Sequence, residues 1–236
     1  MSQMQNDFQS NGYVTAVKPL DDDALSMLRR VCDELLEEPP EDGGEGLHNI
    51  GLGRRRQFLR HRHPDFPELE EFLLNGAPAR LAQDLLGGKA YLFNEQYVVK
   101  GPKKGASFAW HQDGAYVGFD HKAYLTVWIA LDAATEANGC VYILPRNLLE
   151  KPGLDPHEWV EDGSEMNGYS GDEPGTPVEC AAGSIVGFSS LTLHRSGENT
   201  TDRPRRAYVC QYSPEPIIDP ATGEPKRFAK EVLAGD

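Results

Sequence analysis

The feature that most constrains the fold is a series of short apolar segments that starts near residue 90. Each segment is rich in β-branched and aromatic residues, and glycine, proline or asparagine separates it from the next. Such a pattern is typical of short β-strands joined by turns. The segments are AYLFNEQYVVK, SFAWHQD, AYLTVWIAL, GCVYILP, GSIVGFSS and RRAYVCQY. Many short strands after a helical start predict a mainly β protein with a jelly-roll core over about residues 89–215.

The part of the chain before these segments has helical patterns. Residues 1–12 are mostly polar and predict a loose tail. Apolar residues at helical spacing over residues 25–36 predict a helix that Asp21 caps and that ends before a Pro-Pro pair. A second helix is predicted over about residues 67–86. We therefore expect α-helices in an N-terminal part, about residues 20–88, to brace the β core.

The length of 236 residues suits one domain of this class, and we expect a single domain over residues 1–236. Two segments have the composition of loops. Residues 39–53 are rich in proline, glycine and acidic residues, and residues 147–177 form a longer stretch of the same kind. A loop as long as the second is commonly a lid over a binding site or has no fixed structure, so we predict a lid-like insertion there.

Charge and cysteine content limit the partners and the compartment. A net charge of −14 repels nucleic acids and anionic membranes, so we expect neither as a partner. The four cysteines are scattered without metal-binding spacing, which favours a reduced, cytoplasmic protein. We expect no secretion signal, and no apolar run reaches the roughly 18 residues of a membrane span. The prediction is a monomer or homodimer that acts on a small molecule.

Three residues have the pattern of a catalytic metal site. His111 and Asp113 lie two positions apart in SFAWHQDGAY, so a strand would place both side chains on one face. His194 follows a distant apolar segment and completes a set of two imidazoles and one carboxylate. That set is the facial triad that binds Fe(II) and leaves other coordination positions open. Zinc hydrolases use a similar set, so these residues alone leave a hydrolase as an alternative.

Together, five segments resemble one family of oxygenases, the phytanoyl-CoA dioxygenase (PhyH-like) family of Fe(II)/2-oxoglutarate-dependent enzymes. The resemblance covers about half of the chain. It implies a double-stranded β-helix, which is a cupin-like jelly roll, with Fe(II), the co-substrate 2-oxoglutarate and O2 as cofactors. The segments are VVKGP (98–102), WHQDGAY (110–116), LTVWIALD (125–132), NGCVYILP (138–145) and LTLHRSGENTTDRPRRA (191–207).

The resemblance implies that Arg205, eleven positions after His194, pairs with the distal carboxylate of 2-oxoglutarate. The fork of a guanidinium suits a carboxylate. From the residues alone, Arg203 and Arg206 remain equal candidates. The resemblance also implies that three further residues contact the co-substrate or line its pocket: Ser196, Lys100 and Trp128. A surface position for this lysine and an ordinary core position for this tryptophan remain open.

Substrate residues are expected at the mouth of the barrel. The candidates are Gln96, which shares a strand face with Asn94, together with Trp110 and Tyr116. The basic stretch RRRQFLRHRH (54–63) is conspicuous in an acidic chain. It has two interpretations, either a solvated face balanced by the nearby acidic residues or a site that recognises a carboxylate or phosphate of the substrate.

The resemblance implies a dioxygenase that hydroxylates an unactivated C–H bond of a small-molecule substrate and releases succinate and CO2. One alternative keeps the same cofactor chemistry but ends in desaturation, cyclisation, epimerisation or endoperoxide formation. A minor alternative is a non-catalytic jelly-roll module that only binds a metal. The sequence does not identify the substrate.

Overall fold

The computed structural model describes residues 1–16, 20–37, 47–49, 56–103, 105–161 and 165–233. Its helices are α1 (Gln3–Asn11), α2 (Asp22–Glu37), α3 (Pro67–Asn75) and α4 (Ala77–Leu86). The strands of the first half of the chain are β1 (Tyr13–Ala16), β2 (Leu47–Asn49), β3 (Arg56–Arg60), β4 (Tyr91–Lys100) and β5 (Phe108–His111). Those of the second half are β6 (Leu125–Ala130), β7 (Val141–Ile143), β8 (Glu158–Trp159), β9 (Met166–Asn167), β10 (Thr176–Val178), β11 (Ile185–Ser189), β12 (His194–Ser196), β13 (Arg205–Ser213) and β14 (Lys230–Glu231).

Two antiparallel sheets form the core and confirm the predicted jelly roll. The major sheet has the strand order β1-β11-β6-β13-β4-β3-β2, with β14 paired to one end of β4. The minor sheet has the order β10-β7-β12-β5. Apolar side chains from both sheets pack together between them, among them Trp128 and Phe188 from the major sheet and Val141 and Ile143 from the minor sheet. The space between the sheets is therefore the interior of the barrel.

The helices cover the outer face of the major sheet, because side chains alternate along its strands. On β4, Tyr97 and Val99 pack in the cluster that contains buried residues of α2, α3 and α4, such as Leu28 and Leu81. Val98, between them, packs inside the barrel. The helices thus brace the core as predicted, and the opposite face of the same strands is left to line the barrel interior.

The helical part differs from the prediction at one point. The α2 helix begins as expected, since the Asp21 carboxylate accepts a hydrogen bond from the backbone N–H of Ala24 at 2.8 Å. The single helix predicted over residues 67–86 was wrong, because it is two helices that meet at Gly76. The Gly76 backbone is extended, and a Cβ there would overlap the Phe72 carbonyl oxygen. Gly76 therefore allows the sharp turn between the two helices.

The prediction of a loose N-terminal tail was also wrong, because residues 3–11 form α1. Ser2 and Gln5 form a reciprocal capping box, in which the backbone N–H of each residue donates to the side chain of the other. The helix ends at Gly12, whose φ of 78° is in the left-handed region that glycine favours. The Gly12 carbonyl accepts a hydrogen bond from the Thr192 hydroxyl at 2.7 Å. Because Phe8 is also buried, this segment is docked on the barrel.

The apolar segment that leads to His194 divides between the two sheets. Strand β11 ends at Ser189 in the major sheet, and β12 begins at His194 in the minor sheet. The bend between them places His194 opposite His111 of β5. Crossing from one sheet to the other is therefore what brings the two histidines together.

The expected loop over residues 39–53 lies almost entirely outside the described residues, apart from the short strand β2. The predicted insertion over residues 147–177 contains the hairpin β8–β9 and most of β10. In the part of the chain that the structure describes, no helix has the length and apolar character of a membrane-spanning segment.

Candidate active site

The candidate metal ligands converge at one place in the barrel. His111 is the last residue of β5 and pairs across the minor sheet with His194, the first residue of β12. Asp113 begins a 3₁₀ turn after β5, and its Oδ1 atom lies 3.6 Å from the Nε2 atom of each histidine. One donor atom from each residue falls within 4.8 Å of the others. This is the only such cluster among the described residues.

Hydrogen bonds orient both imidazoles for a metal. The Nδ1 atom of His111 lies 2.8 Å from the Ala109 carbonyl oxygen, and that of His194 lies 3.0 Å from the Thr192 carbonyl oxygen. A carbonyl oxygen only accepts, so each Nδ1 carries the proton and donates it. The lone pair is then on Nε2, the atom that faces Asp113.

Polar side chains of the major sheet hold the carboxylate of Asp113. Its Oδ2 atom accepts a hydrogen bond from the Thr126 hydroxyl at 2.6 Å and another from the Gln211 amide at 3.0 Å. Gln211 in turn accepts a hydrogen bond from Asn94 at 2.8 Å. These contacts use one carboxylate oxygen and leave Oδ1 toward the histidines. The arrangement fits a cation bound by two imidazole nitrogens and one carboxylate oxygen.

The charges of His194 and Asp113 suit metal binding at neutral pH, whereas the effect of burial on His111 is outweighed by the hydrogen bond and charge of Asp113, which raise the pKa of His111. Burial, and then repulsion from His111, lowers the pKa of His194 to about 4. Burial by itself would raise the pKa of Asp113, but the attraction of both histidines and the hydrogen bond from Thr126 hold that pKa well below its usual range. A neutral imidazole and an ionised carboxylate are the forms that bind a metal.

A cavity of about 200 Å³ extends from the three residues into the barrel. Its lining includes all three of them and also Arg205, Ser196 and Trp128, so these residues share one space. The volume is smaller than the roughly 300–1,000 Å³ of pockets for drug-sized ligands. It therefore suits small molecules.

Arg205 has unsatisfied donors in this cavity. Its side chain is 1% exposed, and one terminal nitrogen donates to the Gly139 carbonyl oxygen at 3.0 Å. The other terminal nitrogen and Nε are buried and have no hydrogen-bond partner among the described residues. Burial lowers the pKa of this guanidinium to about 10. Buried donors are costly when unpaired, so the position fits an anionic group such as the distal carboxylate of 2-oxoglutarate.

A row of three cations crosses the major sheet at this end. Lys100 of β4 is in register with Arg56 of β3 on one side and with Arg205 of β13 on the other. Lys100 is completely buried and donates to the Gly197 carbonyl oxygen, and burial followed by the two arginine charges lowers its pKa well below the usual value. It lies behind the cavity and does not line it. Its predicted contact with the co-substrate stays a prediction.

Arg56 shows that the basic stretch is not simply a solvated face. It is 1% exposed and donates to the Ser107 carbonyl oxygen at 2.8 Å and to the Glu165 carboxylate at 3.3 Å. Its guanidinium also lies 3.9 Å from the ring centre of Phe108. Arg60 is half-buried and lines the cavity. Residues 54 and 55 of this stretch lie outside the described residues.

The predicted substrate residues divide into two groups. Gln96 and Tyr116 line the cavity. The Tyr116 ring lies edge-on to His111, with 5.6 Å between ring centres. Trp110 points away, because it precedes His111 on the strand and side chains alternate. Its ring contacts Arg195 and Tyr169 instead.

Hydrogen bonds join the insertion over residues 147–177 to the segment that carries His111 and Asp113. Gln112, between two of the ligands, donates to the Leu191 carbonyl at 2.5 Å and accepts from the backbone N–H of Asp155 at 2.7 Å. Glu165 lines the cavity and accepts a hydrogen bond from the backbone N–H of Ala109 at 3.1 Å. The insertion therefore contributes to the wall of the site.

Sequence reasoning missed Thr126, Gln211 and Glu165. Two of them carried a usable signal, the period of two along a strand. Gln211 lies six residues after Arg205 on β13 and so faces the same side, and Thr126 lies two residues before Trp128 on β6. A polar residue on an inward face of a barrel is a candidate for the site. Glu165 carried no such signal, because it lies in an irregular loop.

Comparison with known proteins agrees with this geometry. Residues 8–207 match the sequence profile described as Phytanoyl-CoA dioxygenase (PhyH). The chain belongs to this family. It is 34% identical over 177 residues to a 2-aminoethylphosphonate dioxygenase from Uncultured bacterium HF130_AEPn_1, a match that covers 75% of the chain and 63% of the relative. It is 28% identical over 150 residues to a phytanoyl-CoA dioxygenase of Arabidopsis thaliana, covering 60% of the chain and 51% of the relative. The chain thus spans between half and two thirds of the length of these family members.

Other comparisons cover more of both proteins. A methylphosphonate hydroxylase from Gimesia maris is 28% identical over 212 residues, which cover 87% of the chain and 78% of the relative. The solved structure of EvdO2 from Micromonospora carbonacea var. aurantiaca, complexed with 2-oxoglutarate, is 27% identical with a TM-score of 0.73 and covers 96% of each chain. The solved structure of the carbocyclase SnoK has a TM-score of 0.77 at 22% identity, and the match covers 99% of this chain and 97% of the SnoK chain. The two proteins therefore share a fold.

Proposed function

We propose that this member of the phytanoyl-CoA dioxygenase family is an Fe(II)- and 2-oxoglutarate-dependent dioxygenase that hydroxylates a C–H bond of a small molecule. One observation carries the proposal. A cavity with two imidazole nitrogens and a carboxylate on its wall also contains Arg205, a buried arginine with two nitrogen atoms that have no partner in the described part of the chain. A metal hydrolase has no need of that arginine. A co-substrate that binds the metal at one end and carries a carboxylate at the other needs both features.

Each residue has a defined part in this proposal. His111, Asp113 and His194 would hold Fe(II), and the iron with 2-oxoglutarate and O2 would supply the oxidising chemistry, with succinate and CO2 as by-products. Arg205 would bind the distal carboxylate of 2-oxoglutarate, with the Ser196 hydroxyl beside it. The Trp128 ring forms the adjacent wall, its centre 5.7 Å from the Arg205 guanidinium carbon.

The rest of the cavity wall would orient the reactants and exclude water. Apolar side chains line its deep part, and Phe188 packs against His194 with 4.5 Å between ring centres. A dry wall strengthens the ionic contacts of the co-substrate. Thr126 and Gln211 would keep the Asp113 carboxylate in one orientation.

The names of two relatives point to the first substrates to test, methylphosphonate and 2-aminoethylphosphonate. The structure supports a small substrate, because the cavity of about 200 Å³ must also hold the co-substrate. The outcome could still be desaturation, cyclisation, epimerisation or endoperoxide formation, which analysis of the product would distinguish from hydroxylation.

The cysteines indicate the cellular setting. We expect a cytoplasmic protein, and the support is that all four cysteines are free thiols, three of them buried. A monomer or homodimer and the lack of nucleic-acid or membrane partners remain expectations from the composition.

The decisive test measures succinate. Protein reconstituted anaerobically with Fe(II) is titrated with 2-oxoglutarate, followed by charge-transfer absorbance, and then exposed to O2. We expect binding and slow succinate formation, with both lost in His111→Ala and retained in His121→Ala, a histidine outside the cavity lining. Metal binding without 2-oxoglutarate binding or succinate would contradict the proposal and favour a non-catalytic metal-binding module.

A further inference from the structure

The cavity has a second positively charged region, distinct from the Arg205 end. Arg60, the last residue of β3, lines it, and so does Arg227 from the loop that precedes β14. Gln96 lines the cavity beside Arg60 and is its partner in register on β4. We call Arg60, Gln96 and Arg227 the substrate-end cluster. None of the three belongs to the row of cations around Lys100.

Arg60 is held in place, and part of its donor capacity is unused. Its Nε atom donates to the Gln96 side-chain oxygen at 3.0 Å, and its guanidinium carbon lies 4.9 Å from the ring centre of Phe58. These contacts fix the plane of the guanidinium. Its two terminal nitrogens donate no hydrogen bond to the part of the chain that the structure describes.

The charge of Arg60 is also uncompensated. Among the described residues, no carboxylate forms an ion pair with it. Burial, and then the positive charge of Arg227, lowers its pKa. A half-buried guanidinium with no carboxylate beside it is costly, and an anion bound close to Arg60 would offset that cost. In a chain with a net charge of −14, such a site is a specific feature and not part of a general basic surface.

We propose that the substrate-end cluster binds an oxyanion group of the substrate, a phosphonate, phosphate or carboxylate, and so places the rest of the molecule toward the metal. The fork of Arg60 offers two parallel N–H donors, the geometry that a carboxylate or phosphonate accepts. Gln96 orients the fork, and Arg227 adds charge. Asn94, which also lines the cavity, lies two residues before Gln96 and contacts the Gln211 side chain that holds Asp113. Strand β4 therefore carries both a residue of the anion site and a residue of the hydrogen-bond network that holds Asp113.

This inference rests on the proposed dioxygenase function and defines its substrate class. The test uses protein loaded anaerobically with Fe(II) and 2-oxoglutarate, so that the co-substrate occupies the Arg205 end. Binding of methylphosphonate, 2-aminoethylphosphonate, inorganic phosphate and propionate is measured by titration calorimetry. The uncharged dimethyl ester of methylphosphonate is the matched neutral ligand. Comparison of the phosphorus compounds with propionate identifies which oxyanion the cluster prefers.

We expect at least one of the anions to bind, and the neutral ester to bind at least about tenfold more weakly. Arg60→Gln should weaken binding of that anion by about tenfold or more, because a hydrogen-bonded charge is lost. Arg60→Lys should restore part of the affinity, since it keeps the charge but not the fork. The control is Arg80→Gln, an exposed arginine on α4, which should change nothing.

The outcomes separate the two proposals. If 2-oxoglutarate itself fails to bind, the dioxygenase function falls and this inference falls with it. If 2-oxoglutarate binds but none of the anions does, or if Arg60→Gln binds the anion as the wild type does, only the substrate-end proposal is overturned. Equal binding of the neutral ester would overturn it as well. Circular dichroism of each variant shows whether a loss reflects unfolding.

Discussion

The two ends of the cavity are built in different ways. At the co-substrate end, Arg205 lines the cavity, is 1% exposed and has mostly apolar side chains around it, and the equally buried Arg56 and Lys100 lie in the same row without lining the cavity. At the substrate end, Arg60 and Gln96 are half-buried and Arg227 is exposed. Both ends carry positive charge, but only the first is sealed from water. Exclusion of water at the sealed end would strengthen the ionic contact with a bound carboxylate, whereas water partly screens the charges of the open end.

The residues of the two cavity ends also come from different parts of the chain. The sealed end is made from three adjacent strands of the major sheet, β3, β4 and β13. Arg56, Lys100 and Arg205 are partners in register across these strands. The open end adds Arg227, which lies beyond residue 207, where the match to the family profile ends. The part of the cavity that defines the co-substrate therefore lies within the common family sequence, whereas the part that we assign to the substrate extends outside it.

The largest effect is expected at the sealed end. Arg205→Gln should raise the dissociation constant of 2-oxoglutarate by about thirtyfold to several thousandfold, because removal of one partner of a buried ion pair costs about 2–5 kcal/mol. Fe(II) affinity should change little. The measurement is an anaerobic titration of the charge-transfer absorbance, with iron content determined separately.

Arg206→Gln is the matched control for this prediction. Arg206 is the next residue on β13, faces the opposite side, and binds the Asp132 carboxylate through Nε at 3.0 Å and through a terminal nitrogen at 2.8 Å. Its loss should lower stability but leave the 2-oxoglutarate affinity near that of the wild type. If both variants lose the co-substrate equally, the sealed end is not a specific carboxylate site and the contrast between the two ends disappears.

A smaller effect on binding is expected from a substitution beside the metal site, which lies between the two ends of the cavity. Thr126→Val keeps the shape of the side chain but removes the hydroxyl that donates to Asp113 at 2.6 Å. We expect the Fe(II) affinity to fall by about 10–100-fold, the range for loss of a residue that orients a metal ligand. Equilibrium dialysis with Fe(II) under anaerobic conditions measures it. Thr126→Ser should restore the affinity, and failure to do so would show that the methyl group, not the hydroxyl, matters.

The sequence predicted the sealed end better than the open one, for a physical reason. The metal ligands are recognisable because a metal requires fixed residue types, and His111 and Asp113 are close in the sequence. Arg205 needed the family spacing, since nothing local distinguished it from Arg203 and Arg206. Burial distinguishes them, because Arg205 is inside the barrel and Arg203 is exposed. Burial follows from strand register, which a single sequence specifies only weakly.

The fold, too, was predicted in part, where local sequence patterns decide the structure. The strands were recognisable from their composition, and the α2 helix from its apolar spacing and its Asp21 cap. The α1 helix was missed because its stability depends on docking of Phe8 and on the contact between Gly12 and Thr192, both of which are tertiary. The crossing from β11 to β12 was missed because the apolar pattern continues through the bend. Local patterns thus predicted elements, but not contacts distant in sequence.

The smallest effect on ligand binding is expected from a substitution on the outer face of the same strands. Polar groups there stabilise the fold and do not line the cavity. Glu95 on β4 is completely buried under the helices and accepts hydrogen bonds from the Tyr208 hydroxyl at 2.9 Å and from the backbone N–H of His63 at 3.0 Å. Tyr208→Phe removes the first of these without changing the shape of the ring.

We expect Tyr208→Phe to lower the free energy of unfolding by about 1.5–3 kcal/mol, because the lost hydrogen bond is to a carboxylate. Urea denaturation measures this, and the affinities for Fe(II) and 2-oxoglutarate should stay within about twofold of the wild type. Tyr208 of β13 faces away from the barrel interior, whereas Val209 beside it lines the cavity. A change in co-substrate affinity without a change in stability would mean that the two faces of this strand are coupled, and that the sealed end depends on the helices as well as on its own wall.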